Sequence, residues 1–137
     1  MRKNRSVPAC VVIPELDYPD VEAAAAWLVK AFGFRVRISM GAHRAQMHAG
    51  YGAIVLTKRE EREPTCPCSI LLRVESVDEF FERALKAGCT VTRAPKDYPY
   101  GERQCNVVDF AGHRWTFTES IADVGPEEWG GVAAELE

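Results

Sequence analysis

Apolar and polar positions change rhythm along this chain, and the changes mark out strands and helices. Ala9 to Leu16 is rich in β-forming residues and predicts a first strand. Tyr18-Pro19-Asp20 is a turn, with Asp20 placed to cap the helix that follows. From Val21 to Phe32 the spacing turns helical: Val21, Ala24, Ala25, Leu28 and Phe32 share one face. Gly33 ends that helix, because glycine tolerates the left-handed backbone needed there. Three short strands are predicted next. Phe34 to Ser39 alternates, Arg44 to Ala49 alternates in part, and Ala53 to Thr57 is a short apolar run after Gly50-Tyr51-Gly52. Lys58 to Glu63 mixes both charge signs and reads as a solvated loop, prolonged by Pro64 and Pro67.

The same order then restarts. Ser69 to Val74 predicts a strand. Ser76-Val77-Asp78-Glu79 is a capping box, with Ser76 as N-cap and Glu79 reaching back. The helix is expected to run to Ala87, burying Val77, Phe80, Phe81, Ala84 and Leu85, and to stop at Gly88. Thr90 to Arg93 predicts a strand, and Ala94 to Gly101 a loop holding Pro95, Tyr98, Pro99 and Tyr100. Arg103 to Asp109 and His113 to Thr118 predict the last two strands, joined by a turn at Phe110-Ala111-Gly112.

Landmarks repeat at nearly constant distance. Asp20 and Ser76 open the two helices 56 positions apart; Gly33 and Gly88 close them 55 apart. Gly52 and Gly112 precede the last strand of each half, 60 apart. Two copies of a βαβββ module account for this, whereas a solenoid needs shorter and more numerous repeats. The predicted fold is α+β, one domain over 1–137. Its modules fall at about 9–57 and 69–119, followed by a tail at 120–137. Each curved mixed sheet is expected to form part of a shared cleft.

Composition narrows the function. A net charge of -3 and 27% charged residues leave no basic face for a phosphate backbone, so nucleic acid is not an expected partner. No apolar run reaches the ~20 residues of a membrane span. The basic start, Met1-Arg2-Lys3-Asn4-Arg5, precedes too short an apolar stretch for a signal peptide, interrupted by Pro14-Glu15. The expectation is a soluble cytoplasmic protein. Its five cysteines, Cys10, Cys66, Cys68, Cys89 and Cys105, are expected to be reduced. Cys66-Pro67-Cys68 is read as a pair of exposed loop thiols, since no second Cys/His pair lies at zinc-site spacing. His43, His48 and His113 read as surface or hydrogen-bonded residues. Trp129 is expected to anchor the tail on the body or on a partner subunit.

Three stretches carry a family likeness: Ile13 to Phe34, Leu71 to Val91, and Tyr100-Gly101-Glu102-Arg103 followed by Asp109-Phe110-Ala111-Gly112-His113-Arg114-Trp115. In this order, over residues 9–119, they resemble the vicinal oxygen chelate superfamily. That superfamily includes glyoxalase, extradiol dioxygenases, fosfomycin-resistance transferases and bleomycin-binding proteins. The resemblance implies a cleft, a divalent metal held by His, Gln or Glu, and pairing of modules within or between chains, hence a homodimer. It places the ligand positions at Ile13, Leu56, Ser69 and Thr116. Two of these are hydrocarbon and two are neutral hydroxyls, poor ligands beside imidazole or carboxylate. The expectation is therefore the fold without metal or other cofactor.

Strand alternation gives the residues expected to share the cleft wall: Ile13 with Glu15, Ser69 with Leu71 and Arg73, and Thr116 with Arg114 and Thr118. Leu56 is expected beside them. Ile70, Leu72, Val74, Trp115 and Phe117 should pack under the helices. The expected ligand-binding residues are Ile13, Glu15, His48, Leu56, Ser69, Leu71, Tyr100, Arg103 and Thr116. Arg103 is read as a clamp for an anion or as one half of an ion pair. Two functions follow. One is metal-independent sequestration of a small hydrophobic or aromatic compound. The alternative is a glyoxalase-like enzyme of lyase, isomerase or dioxygenase type, with Glu15 as catalytic base or with a metal site not evident from sequence.

Overall fold

The computed structural model describes residues 4–60 and 68–134. Cys66 lies outside the described residues, as do the acidic positions of the loop beyond Glu60. The chain divides into two compact units, Met1–Thr65 and Cys66–Glu137. Each unit is a βαβββ module, and the two share one topology.

In the first unit, β1 is Glu15–Tyr18, α1 is Val21–Phe32, β2 is Arg35–Met40, β3 is Arg44–Ala49 and β4 is Gly52–Lys58. The sheet order is β1-β4-β3-β2, with β1 parallel to β4 and the other pairs antiparallel. Asp20 caps α1, its carboxylate accepting from the N–H of Ala23 at 3.0 Å. Gly33 closes the helix at φ 72°. Tyr18, Leu28, Met47 and Leu56 are fully buried between helix and sheet.

The first strand starts later than its β-rich sequence predicts. Cys10 to Ile13 lie outside the strand, and Val11 is 89% exposed. β-propensity alone cannot make a strand; a partner must supply the hydrogen bonds. Pairing begins where the Pro14 carbonyl accepts from Val55 N–H at 2.9 Å and continues through Glu15↔Val55 to Tyr18↔Lys58.

In the second unit, β5 is Ser69–Arg73, α2 is Val77–Lys86, β6 is Thr90–Tyr98, β7 is Glu102–Val108 and β8 is Arg114–Ser120. The order β5-β8-β7-β6, with β5 parallel to β8, repeats the first sheet. Ser76 caps α2 by accepting from Glu79 N–H, and Glu119 of β8 accepts from Val77 N–H at 2.9 Å. The helix therefore starts against the sheet as well as on its own cap. Phe80 meets Phe117 edge-on at 5.3 Å, while Leu85 stays exposed, contrary to the helical-face prediction.

β6 is the largest departure from expectation. It runs nine residues, straight through Pro95, where a loop was expected. Proline has no N–H for a ladder, so it is tolerated on an edge strand or at an irregularity. β6 is an edge, and its register shifts between Arg93 and Lys96. After β8 the chain folds back: Ile121 and Ala122 donate to the Gly101 carbonyl, and a single helical turn forms at Pro126–Trp129. No helix among the described residues is long and apolar enough to cross a membrane.

Candidate functional site

The second sheet has a helix-packed face and an open face. Trp115, Phe117, Cys105 and Val107 are fully buried toward α2, as alternation predicts. Strand register sets the neighbours on the open face. One cross-strand row holds Ser69, Arg114 and Val108. The next holds Leu71, Thr116, Asn106 and Arg93. The third holds Arg73, Thr118, Gln104 and Lys96. The last holds Ser120, Glu102 and Tyr98.

These side chains are joined by hydrogen bonds. Tyr100 Oη donates to Gln104 Oε1 at 2.9 Å, and Gln104 Nε2 donates to Thr118 Oγ1 at 3.0 Å. Thr118 in turn donates to Glu102 at 2.6 Å. Each donor in this chain points toward the same carboxylate. Burial pushes the Glu102 carboxyl up, but hydrogen bonds from Ser120 and Thr118 and the Arg73 charge outweigh it and hold it below its ordinary value. Asn106 donates to Thr116 at 2.6 Å, and Arg93 to Tyr98 Oη at 2.8 Å. Tyr98 and Tyr100 stack at 5.3 Å, and Trp129 meets Tyr100 edge-on at 5.8 Å. The tail tryptophan thus rests on its own unit. Leu71, 63% exposed, stands among these polar groups.

Of the residues expected to bind a ligand, Ser69, Leu71 and Thr116 share this face, and Tyr100 reaches it through Gln104. Arg103 does not. It alternates with Gln104 and pairs with Asp97 at 2.6 Å and Asp78 at 3.4 Å, on the α2 side. The ion pair, of the two roles weighed for Arg103, is the one its geometry matches. Those bonds and charges raise the Arg103 guanidinium and lower Asp97.

In the first unit, Leu56 is fully buried in register with Leu16 and Ala45, so it packs under α1 rather than on the open face. The alternate row holds Glu15, Val55 and Gln46. Glu15 is 63% exposed and lies 3.7 Å from Arg44, an ion pair rather than a carboxyl walled by hydrocarbon. His48 is partly buried in register with Arg35 and Ala53. Ile13 precedes β1. The N-terminal arm covers part of this face: Gln46 donates to the Ser6 carbonyl at 2.6 Å and Arg37 to that of Arg5 at 3.1 Å.

Arg93, Gln104 and Asn106 join the open face of the second sheet unannounced by any motif. Arg93 stood at the expected end of its strand, and the pairing of β6 with β7 aligns it with Asn106. Alternation along β8, had it been extended to β7, was the available signal.

A family model for the Glyoxalase/Bleomycin resistance protein/Dioxygenase superfamily matches residues 15–117. The chain belongs to this superfamily. TioX from Micromonospora sp. ML1 has a similar structure, with 30% identity and a TM-score of 0.67, over 85% of this chain and 100% of that one. The fosfomycin resistance protein FosX from Listeria monocytogenes shares the fold at 18% identity and a TM-score of 0.66, over 89% of this chain and 98% of that one. An uncharacterized protein of Mycobacterium bovis is 40% identical over 62 residues, 45% of this chain and 41% of its own. The match therefore spans less than half of that relative's length.

Glyoxalase-superfamily chemistry commonly uses a divalent metal, and the four positions that the resemblance assigns to its ligands do not fit one. Ile13, Leu56, Ser69 and Thr116 offer two hydrocarbons and two hydroxyls, and Leu56 is turned into the core. Among the described residues, no three His, Cys, Asp or Glu side chains cluster to hold an ion.

Proposed function

We propose that this chain is a metal-independent small-molecule-binding protein of the glyoxalase/bleomycin-resistance type, sequestering a small aromatic or hydrophobic compound. The observation that carries the reading is the open face of the second sheet. It presents an exposed leucine and a stacked tyrosine pair within a hydrogen-bonded polar lattice. Such a surface offers contact area for a flat organic molecule and polar groups that orient it. Among the described residues, no convergent acid–base pair accompanies it, and Glu15 has an arginine partner.

A thermal-shift screen with small aromatic compounds tests the reading, run with and without a chelator and added divalent metals. A ligand that binds the native state raises Tm by mass action. The expected result is a compound whose shift is the same in both conditions. A shift that appears only with metal would overturn the proposal. Glu15→Gln is expected to leave affinity within about twofold, as for the loss of an exposed ion pair. Conversion of the bound compound, abolished in Glu15→Gln, would establish the enzyme alternative instead.

A further inference from the structure

We propose that the ligand carries an oxyanion head, a carboxylate or phosphate, held between Arg93 and Arg114. This rests on the small-molecule-binding reading above and names its ligand class. A pocket of about 650 Å³ opens on the second sheet, lined by Ser69, Thr92, Arg93, Asn106, Gly112 and Arg114. Its walls supply two guanidinium groups, the Ser69 hydroxyl and one N–H of the Asn106 side-chain amide, while the Thr92 hydroxyl already donates to the Asn106 carbonyl. That is a donor-rich set suited to oxygen acceptors.

Charge on this face points the same way. Arg73, Arg93, Lys96 and Arg114 all project from its cross-strand rows, whereas Glu102 is the one carboxylate in those rows among the described residues. Glu102 is already bound by Thr118 and is held ionised beside Arg73. Among the described residues, neither Arg93 nor Arg114 has a carboxylate partner. Arg93 donates one N–H to Tyr98 Oη and keeps the rest of its fork. The Asp109 carboxylate in the β7–β8 turn accepts from the N–H groups of Ala111, His113 and Trp115 instead. Among the described residues, this chain of net charge -3 thus places two arginines without a carboxylate partner on one pocket. Like charges gathered without a counter-ion raise the local concentration of anions, and a bidentate guanidinium fixes a planar oxyanion.

Row spacing sets the ligand's shape. Leu71 and Thr116 occupy the row next to Ser69 and Arg114, and Gln104 and Tyr98 lie farther along the same face. Leu71 lies on the β5 edge and Tyr98 on the β6 edge, so an oxyanion between Arg114 on β8 and Arg93 on β6 would direct an organic body along β7, past Gln104, toward Tyr98.

Titration calorimetry with 2-naphthoate, 2-naphthamide and inorganic phosphate tests this on the full chain. Naphthoate is expected to bind about tenfold more tightly than the amide, the worth of one charge-assisted hydrogen-bonded contact. Arg114→Ala and Arg93→Ala should each remove about that factor, while Arg35→Ala, in the first unit, should not. Competition by inorganic phosphate would mark a phosphate head, and its failure to compete a carboxylate. Equal affinity for naphthoate and naphthamide, or full naphthoate binding by both folded arginine variants, would overturn the inference and leave small-molecule binding standing. Failure of all three probes, while the broader screen yields a neutral ligand, has the same meaning. Failure of every compound in that screen as well would overturn both.

Discussion

Asp109 shows how one side chain organises a hairpin. Its carboxylate is buried and accepts from Ala111 N–H and His113 N–H at 3.0 Å each, and from the Trp115 indole at 3.1 Å. Trp115 is fully buried, so its N–H has no water to turn to. Asp109→Ala leaves three donors without their acceptor and should cost about 3 kcal/mol or more, read by chemical denaturation. An unchanged midpoint would mean that those donors find other partners. Cys89 and Cys105 are governed by the same environment. Burial, with the Asp109 charge second, pushes the Cys89 thiol up to about 11. Burial pushes Cys105 up to about 11 despite a backbone hydrogen bond from Phe117. Reactivity requires the thiolate, which is then scarce at neutral pH. Maleimide labelling of the native protein, read by mass spectrometry, should therefore spare both cysteines until the chain unfolds. Rapid native labelling at either position would contradict their burial.

Helices and strands differ in how far local sequence reaches. Both helices were legible with their caps, because Asp20 and Ser76 bond within three residues of themselves. Strands were legible in number and order but less so in extent. Ala9 to Ile13 has the composition of a strand and no ladder partner among the described residues, whereas β6 continues through Pro95 because that edge can miss a donor. The turn between β6 and β7 depends on a close approach. Gly101 has φ 85°, and a Cβ there would sit 2.0 Å from the Ala122 carbonyl oxygen of the returning tail. Gly101→Ala should destabilise the unit by about 2 kcal/mol or more and free the segment after Ser120 for limited proteolysis. Wild-type protease resistance in that variant would show that the turn and tail can part without cost.

The whole chain repeats one topology and carries different chemistry on each copy. The first open face pairs its charges, as Glu15 does with Arg44, and receives the N-terminal arm; the second collects cations around a pocket. Assembly is the remaining molecular question. β2 is an edge strand that leaves Val36 and Met40 exposed, and exposed apolar groups on an unpaired edge favour association. Sedimentation equilibrium is expected to give twice the 15.3 kDa chain mass, with a monomer at high concentration as the contrary result. Periodicity, caps and the 56-residue echo were enough to read the α+β class, the duplicated module and the superfamily, since each is written in short-range pattern or ordered motif. Which face each strand residue joins was settled by pairing. Alternation names the two sets along one strand, but register between strands says which sets meet. That is why Leu56 went to the core, Arg103 to the α2 side, and Arg93 and Asn106 to the pocket wall.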